Sequence, residues 1–432
     1  MTIVACSTPP GTSGIAVIRI SGKDAIKNVS SFIKDCPFNE KSPGSKICLL
    51  VDKDGLIFDE AIVTSYLSPN SYTGENLVEV SCHGNPNIIS KIVDLSVDGG
   101  ASLAEPGEFT KRAFLNGKLD LSEAESVSAI IHSKSIAGVK AGVKNLKGGL
   151  SKKIDLIKSD LVSVVANLEF NLDISEEDLQ PNLIKNSKIS ISKSVEKLQN
   201  CVDAFNETKI FQLGASVVIL GPPNAGKSTL FNLLVNKNQS IVTEIEGTTR
   251  DVVEKNINID GLPILLKDTA GIRESDNRVE KIGVERSLAE EKDADLVIVL
   301  NDASRSFGED KYIHVFNKSD IKTPDGDYDV VISAKTGNNI QKLKETIYRS
   351  LINEDIQYDT FLTSKRQCIA VKGALKHIKD AHALLLGGDS LELIVEDINR
   401  SIDFLDSITS KQQKMMFLMK FFRLFVLENS FT

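Results

Sequence analysis

The sequence predicts a multidomain α/β chain, with a β-rich N-terminal domain and a helical domain split by an inserted α/β domain. Three observations carry this. The 432 residues are too many for one ordinary core. The texture changes at Leu121, from short β-branched runs to apolar residues at three- and four-residue spacing. A continuous apolar run, ASVVILG from 215, then opens a strand-and-helix alternation that lasts to about 350, after which helical spacing returns.

Residues 1–118 carry AVIRI at 16–20, AIVTSYL at 61–67 and NLVEV at 76–80, broken by Gly, Pro and Ser as strands are. Residues 119–210 read as the first helical part and 211–350 as the inserted domain. Residues 351–432 form the second helical part, with KRQCIAVKGALKHIKDAHALLL as its clearest helix and an atypical tail from about 411.

Composition narrows the function. With 41% hydrophobic and 25% charged residues the chain is globular, not disordered. Six scattered cysteines without a CxxC pair argue for reduced thiols in a cytoplasmic setting, against a disulfide framework or a zinc site. The five histidines show no ligand spacing and are expected to be structural. The start has no secretory pattern, and no stretch approaches the roughly 20 apolar residues of a membrane span. At net charge −8, RNA would be held only through a local basic patch or with a basic partner's help.

Directly after ASVVIL comes GPPNAGKST, which fits G-x-x-x-x-G-K-[ST] at Gly221–Ser228, and LFNLLV then starts a helix. Backbone N–H groups around Asn224, Ala225, Gly226 and Thr229 would cradle phosphates, aided by the positive helix end. Lys227 would reach the β- and γ-phosphates, and Ser228 would hold Mg²⁺. GTTRD at 247–251 offers Thr249 to the γ-phosphate and the metal. DTAG follows the strand PILLK, placing Asp268 near Mg²⁺ and the Gly271 N–H where it senses the γ-phosphate. NKSD at 317–320 (Asn317, Lys318, Asp320) follows YIHVF, and SAK (Ser333, Ala334, Lys335) follows DVVI. The Asp320 carboxylate accepts both the N1 and 2-amino hydrogens of guanine, and Ala334 can offer its N–H to O6. Adenine would leave that carboxylate unpaired, at a cost of about 1–3 kcal/mol or more. Together the strings resemble GTPases of the translation-factor-related class.

Ile272 stands where small GTPases carry a water-orienting glutamine. VEKIGVER supplies Glu280 nearby, either to act on water or as a solvated helix face. Asn224 either offers oxygen to a monovalent cation, which would supply positive charge, or is an ordinary turn residue.

TIVACSTPPGTSGIAVIRISG, SYTGENLVEVSCHGN, EPGEFTKRAFLNGKLDLSEAE, GPPNAGKST, IVTEIEGTTRD and DTAGIRESDNRVEKIGVER stand in the order of one family, from residue 2 to about 410. The chain resembles the tRNA modification GTPase MnmE (TrmE) family. The resemblance implies a multidomain α/β fold: an N-terminal α+β folate-binding and dimerisation domain, a discontinuous α-helical domain, and an inserted P-loop GTPase α/β domain. It implies a homodimer whose potassium-stimulated GTP hydrolysis serves modification of C5 of the tRNA wobble uridine. It also implies an FAD-dependent partner, MnmG, and a tetrahydrofolate one-carbon donor. Carried over by motif, Asn224, Thr243, Ile245 and Thr248 surround K⁺, Glu280 acts on water, and Arg19, Glu79 and Lys118 serve folate. A carboxylate suits a pterin edge and cations suit a folate tail, whereas Arg19 and Glu79 could equally be a cross-strand pair. GTSG at 11–14 stands where the family has Gly-Arg-Gly, which puts that loop's folate or dimer contacts in question.

The tail departs too. Family members end in approximately TTEDLLDRIFSSFCIGK, with a cysteine implicated in the tRNA chemistry. This chain follows the pattern to SIDFLDSITS and then reads KQQKMMFLMKFFRLFVLENSFT. Phe425–Ser430 can be encoded so that a shifted frame reads Cys-Ile-Gly-Lys-stop, and back to Lys411 that frame permits TTEDDVLDEIFSSFCIGK. The expectation is a frameshifted C-terminus with impaired modification. The rivals are an interfacial membrane helix and a core helix. Two other readings of the whole chain are a regulatory RNA- or ribosome-associated GTPase switch and a C-terminally defective remnant.

Overall fold

The computed structural model describes residues 1–34, 43–172, 181–238, 253–268, 291–302, 311–352, 362–388 and 390–409. The chain divides into two compact units, one containing Met1–Ala124 and the other Glu125–Ile408.

In the first unit seven strands form one sheet: β1 (Ile3–Cys6), β2 (Ser13–Ser21), β3 (Ile33–Lys34), β4 (Gly44–Val51), β5 (Ile57–Tyr66), β6 (Leu77–Gly84) and β7 (Ser102–Leu103). Their order is β3-β4-β5-β6-β2-β1-β7, antiparallel except for the β1–β7 pair. Alternation decides the faces. Ala16, Ile18 and Ile20 of β2 and Val78, Val80 and Cys82 of β6 join Ile26 of α1 (Ala25–Ser30) and Ile92 and Leu95 of α2 (Pro86–Asp98) in one core. Asn85 caps α2, accepting from the Asn87 N–H, and Pro86 opens its first turn. A third helix, α3 (Glu108–Leu115), completes the unit. The strands expected at 16–20, 61–67 and 76–80 are β2, β5 and β6; the strand β4, between β3 and β5, and the helix α2 were not anticipated.

The second unit joins helices to an open sheet. α4 (Leu121–His132), α5 (Ile136–Leu146), α6 (Gly149–Leu172) and α7 (Pro181–Leu213) precede the sheet. Its strands are β8 (Ala215–Leu220), β9 (Val253–Ile259), β10 (Leu262–Asp268), β11 (Leu296–Leu300), β12 (Tyr312–Phe316) and β13 (Val330–Val331). α8 (Lys227–Asn238) and α9 (Ile340–Leu351) belong with the sheet; α10 (Lys365–Gly387) and α11 (Leu391–Thr409) return to the helical body.

Helical spacing places Leu150, Ile154, Ile157 and Leu161 of α6 on one stripe, packed with Val371 and Ile378 of α10 and Ile398 and Leu405 of α11. The core of the helical body thus unites segments on both sides of the sheet domain. One buried polar cluster fastens it. Arg366 donates through Nε to Glu125 Oε1 at 2.6 Å and through Nη2 to Oε2 at 3.0 Å. Gln367 donates to the same carboxylate, and Arg366 also donates to the carbonyls of Ser407 and Ile408 at the end of α11. The Glu125 side chain is only 2% exposed.

The sheet runs β13-β12-β11-β8-β10-β9, parallel except for β9. Val217–Ile219 and Leu296–Leu300 are fully buried, as a parallel strand covered on both faces requires. Because β8, β10, β12 and β13 run the same way, the loops after them emerge at one edge of the sheet.

Candidate functional site: a phosphate loop and a base clasp at one sheet edge

The loop between β8 and α8 has a backbone that few residues tolerate. Gly221 has φ +149°, and a Cβ there would stand 2.6 Å from the Leu300 carbonyl oxygen. Gly226 has φ +93°, and a Cβ there would collide with Asn317 Nδ2. Asn224 is left-handed at φ 60°, which Asn tolerates better than most residues. Ala225 is buried beneath the loop, whereas Asn224, Ser228 and Thr229 are exposed. The amides that lead into α8 belong to its first turn, where intrahelical partners are lacking and the helix dipole is positive. These features suit an anion such as a nucleotide phosphate.

The Lys227 ammonium bonds back to the loop, donating to Gly221 O at 2.8 Å and Pro222 O at 3.1 Å. Burial pushes its pKa below the ordinary lysine value, and the Asp268 carboxylate opposes the shift. Asp268 ends β10 and is 3% exposed, so the acid expected near Mg²⁺ lies beside the loop's lysine. Ser228 stands in the first turn of α8, and the pair has the donor set of a hard cation, hydroxyl with carboxylate.

Asn317, 3% exposed, holds the edge together. Its Nδ2 donates to Ala225 O at 2.8 Å, and its Oδ1 accepts from the Ala334 N–H at 2.9 Å. Its own N–H donates to Asn301 Oδ1 at 2.6 Å. The Ala334 N–H, expected to meet guanine O6, is therefore bonded to Asn317 in this structure. Asn301 was not singled out from sequence, where the available signal was an Asn directly after the apolar run LVIVL; in the structure it is left-handed at φ 52°.

Asp320 accepts from Ser333 Oγ at 2.7 Å. That hydrogen bond, with backbone donation and the nearby Lys335 and Lys318, holds the carboxyl below its ordinary value. Ser333 Oγ in turn accepts from the Thr336 N–H at 3.3 Å. NKSD and SAK thus form one connected structure with the phosphate loop, with Lys318 left-handed at φ 72° in the turn. Thr243, Ile245, Thr248, Thr249, Gly271 and Glu280 lie outside the described residues, as does the tail from 411.

In the first unit Arg19 and Glu79 stand directly opposite each other on β2 and β6. Arg19 donates to Glu79 Oε1 from Nη2 at 2.6 Å and from Nε at 2.9 Å. Its guanidinium also lies 5.3 Å from the centroid of the Tyr72 ring and 5.7 Å from that of Phe109. Burial first, then the Glu79 charge and hydrogen bond, raises the Tyr66 hydroxyl above its ordinary pKa. Lys118 Nζ donates to Pro69 O at 3.1 Å. The cross-strand pair considered from the sequence is present. Its aromatic walls, cation and carboxylate also suit a flat heterocycle with an anionic tail.

His83 accompanies a buried carboxylate, its Nδ1 2.7 Å from Asp59 Oδ1, and His377 lies 3.0 Å from Asp397. Cys6, Cys48, Cys82, Cys201 and Cys368 are free thiols. Among the described residues no helix is long and apolar enough to cross a membrane.

Two family models match the chain: the GTP-binding protein TrmE N-terminus over residues 2–118 and the MnmE helical domain over residues 121–425. The tRNA modification GTPase MnmE of Thermotoga maritima is 37% identical over 436 residues, covering 95% of this chain and 96% of that protein. The protein of the same name from Fervidobacterium nodosum is 38% identical, with 95% and 94% covered. Among solved structures, Aquifex aeolicus Era bound to GDP.AlF4- is 26% identical over 38% of this chain and 66% of that one, with a TM-score of 0.24. With its motifs in family order and its near full-length relatives, the chain belongs to the MnmE family.

Proposed function

We propose that the protein is a GTP hydrolase that acts in modification of C5 of the tRNA wobble uridine, as a homodimer stimulated by potassium. The observation that carries the guanine nucleotide reading is the bonded set Ala225–Asn317–Ala334 with Ser333–Asp320 beside it. It brings a phosphate-type loop and a base-reading carboxylate together at one sheet edge. In this reading Gly221–Thr229 bind the phosphates, Lys227 stabilises charge on them, and Asp320 reads the base with Ser333, Ala334 and Lys335 around it. Mg²⁺ falls to Ser228 and Thr249, with Asp268 nearby, and K⁺ to Asn224, Thr243, Ile245 and Thr248. Glu280 acts on the attacking water and Gly271 senses the γ-phosphate. Arg19, Glu79 and Lys118 serve a tetrahydrofolate derivative, which supplies a one-carbon unit. An FAD-dependent partner of the MnmG type and the tRNA complete the assembly. The domains run over residues 1–118, 119–210, 211–350 and 351–432.

The names of the relatives, tRNA modification GTPase, support the tRNA assignment. GTP turnover by the full chain, measured in KCl and in NaCl, tests the enzymatic part. Turnover that is greater in KCl is expected, and none in either salt refutes it. Nucleoside mass spectrometry of tRNA from cells with only this protein tests the modification.

A further inference from the structure

The strongest departure from the chain's acidity lies between Ser126 and Ile154. That stretch contains six lysines and neither Asp nor Glu, in a protein of net charge −8. The structure organises it around α5. One face of that helix (Gly138, Ala141, Gly142 and Asn145) is buried. A Cβ on Gly142 would stand 2.6 Å from Ile130 Cγ1, and one on Gly138 would stand 2.9 Å from the Phe211 carbonyl oxygen. Small residues therefore let α5 seat closely against α4 and α7. Ser135 fixes its start, accepting from the Gly138 N–H at 3.0 Å and donating to Phe211 O at 2.6 Å.

The opposite face is exposed and carries Lys140, Lys144 and Lys147 at helical spacing, with Lys134 before the helix and Lys152 after it. No ion pair among the described residues engages Lys134, Lys140, Lys147 or Lys152, so their charge is available to a partner. Ile136, 71% exposed, and Val143 are apolar residues on the same face, and no Phe, Tyr or Trp occurs between residues 126 and 154. A helix with unneutralised lysines and no large aromatic side chain along it fits a sugar–phosphate backbone read by charge, not by sequence.

We infer that the α5 face, with Lys134, Lys140, Lys147 and Lys152, is a docking surface for the phosphate backbone of RNA. The inference rests on the tRNA reading above and adds where that RNA is gripped.

The test uses the full chain, with a fluorescent unmodified tRNA transcript titrated over a range of KCl concentrations. The patch variant carries Lys→Gln at 134, 140, 147 and 152; Gln keeps helix propensity close to that of Lys. A control carries Lys→Gln at the exposed Lys23, Lys27, Lys342 and Lys376, with the same change in net charge. The expected result is a loss of about tenfold or more in affinity, and a salt slope about three to four smaller, in the patch variant alone. Equal binding by patch variant and parent, an equal loss in the control, or no tRNA binding by the parent overturns the proposal. Vesicles of phosphatidylserine and phosphatidylcholine form a separate arm. Loss of vesicle binding with tRNA affinity unchanged would assign the face to a membrane surface and also overturn it. GDP binding in the same preparations reports on the nucleotide reading independently.

Discussion

The Asn317 side chain bonds Ala225 beneath the phosphate loop at 2.8 Å, across 92 residues of sequence, while its other end holds the Ala334 N–H at 2.9 Å. One buried amide thus fixes the spacing between the loop for phosphates and the loop for a base. The same side chain packs where Gly226 leaves no room for a Cβ, so the two positions depend on each other.

Asn317→Ala leaves the Ala225 carbonyl and the Ala334 N–H without that partner, at a cost of about 1–3 kcal/mol. Calorimetry should show GDP affinity down by more than about tenfold. Thermal unfolding should show the sheet domain melting earlier. Gly226→Ala, which adds strain at φ +93° and the collision with Asn317, should lose nucleotide binding at least as fully.

Asp320→Asn replaces two acceptors with one acceptor and one donor. Xanthine, which presents a 2-oxo group instead of a 2-amino group, should then compete for the site, and GDP should weaken; a competition assay with the two diphosphates reads both. The pH dependence follows from Ser333. Its hydroxyl holds the Asp320 carboxyl below the usual value of 3.8. The carboxylate's contribution is complete above that ordinary value and is lost only as pH falls through the depressed one. Removing the donor in Ser333→Ala should move the acid limb of GDP binding to higher pH.

Arg366→Leu strands Glu125, whose side chain is 2% exposed, with Gln367 as its remaining named donor. Breaking one side of a buried ion pair costs about 3–5 kcal/mol. Denaturant unfolding should therefore reach its midpoint earlier. In the same titration, Glu79→Gln should cost less than Arg366→Leu, because its pair with Arg19 is about one quarter exposed and the Gln carbonyl can still accept from Arg19. The second variant should still abolish tetrahydrofolate binding, so measuring both properties separates a structural pair from a ligand site.

The phosphate loop and the strands before it were legible because each is a contiguous string whose geometry is local. Gly221 and Gly226 announce a backbone that side chains obstruct, and ASVVIL announces a strand covered on both faces. NKSD and SAK were legible as strings, but Asn317 as a tie to Ala225 was not, since the bond depends on the parallel order β12-β11-β8. Arg366, 241 residues from Glu125, could not be paired with it from spacing alone. α2 is masked in the sequence by its own β-branched residues, Ile88, Ile89, Ile92 and Val93; Asn85 and Pro86, a cap and a first-turn proline, are its local signals. The basic stretch of α5 was visible as charge. Only the structure sets its lysines on the face opposite Gly138 and Gly142.

The most direct measurement is titration of the full chain with GDP and with ADP in a calorimeter, with Mg²⁺ present. One saturable GDP site per chain, not displaced by excess ADP, is the predicted result. No heat of GDP binding, or displacement by ADP as readily as by GTP, would contradict the guanine site at Asp320 and Lys227.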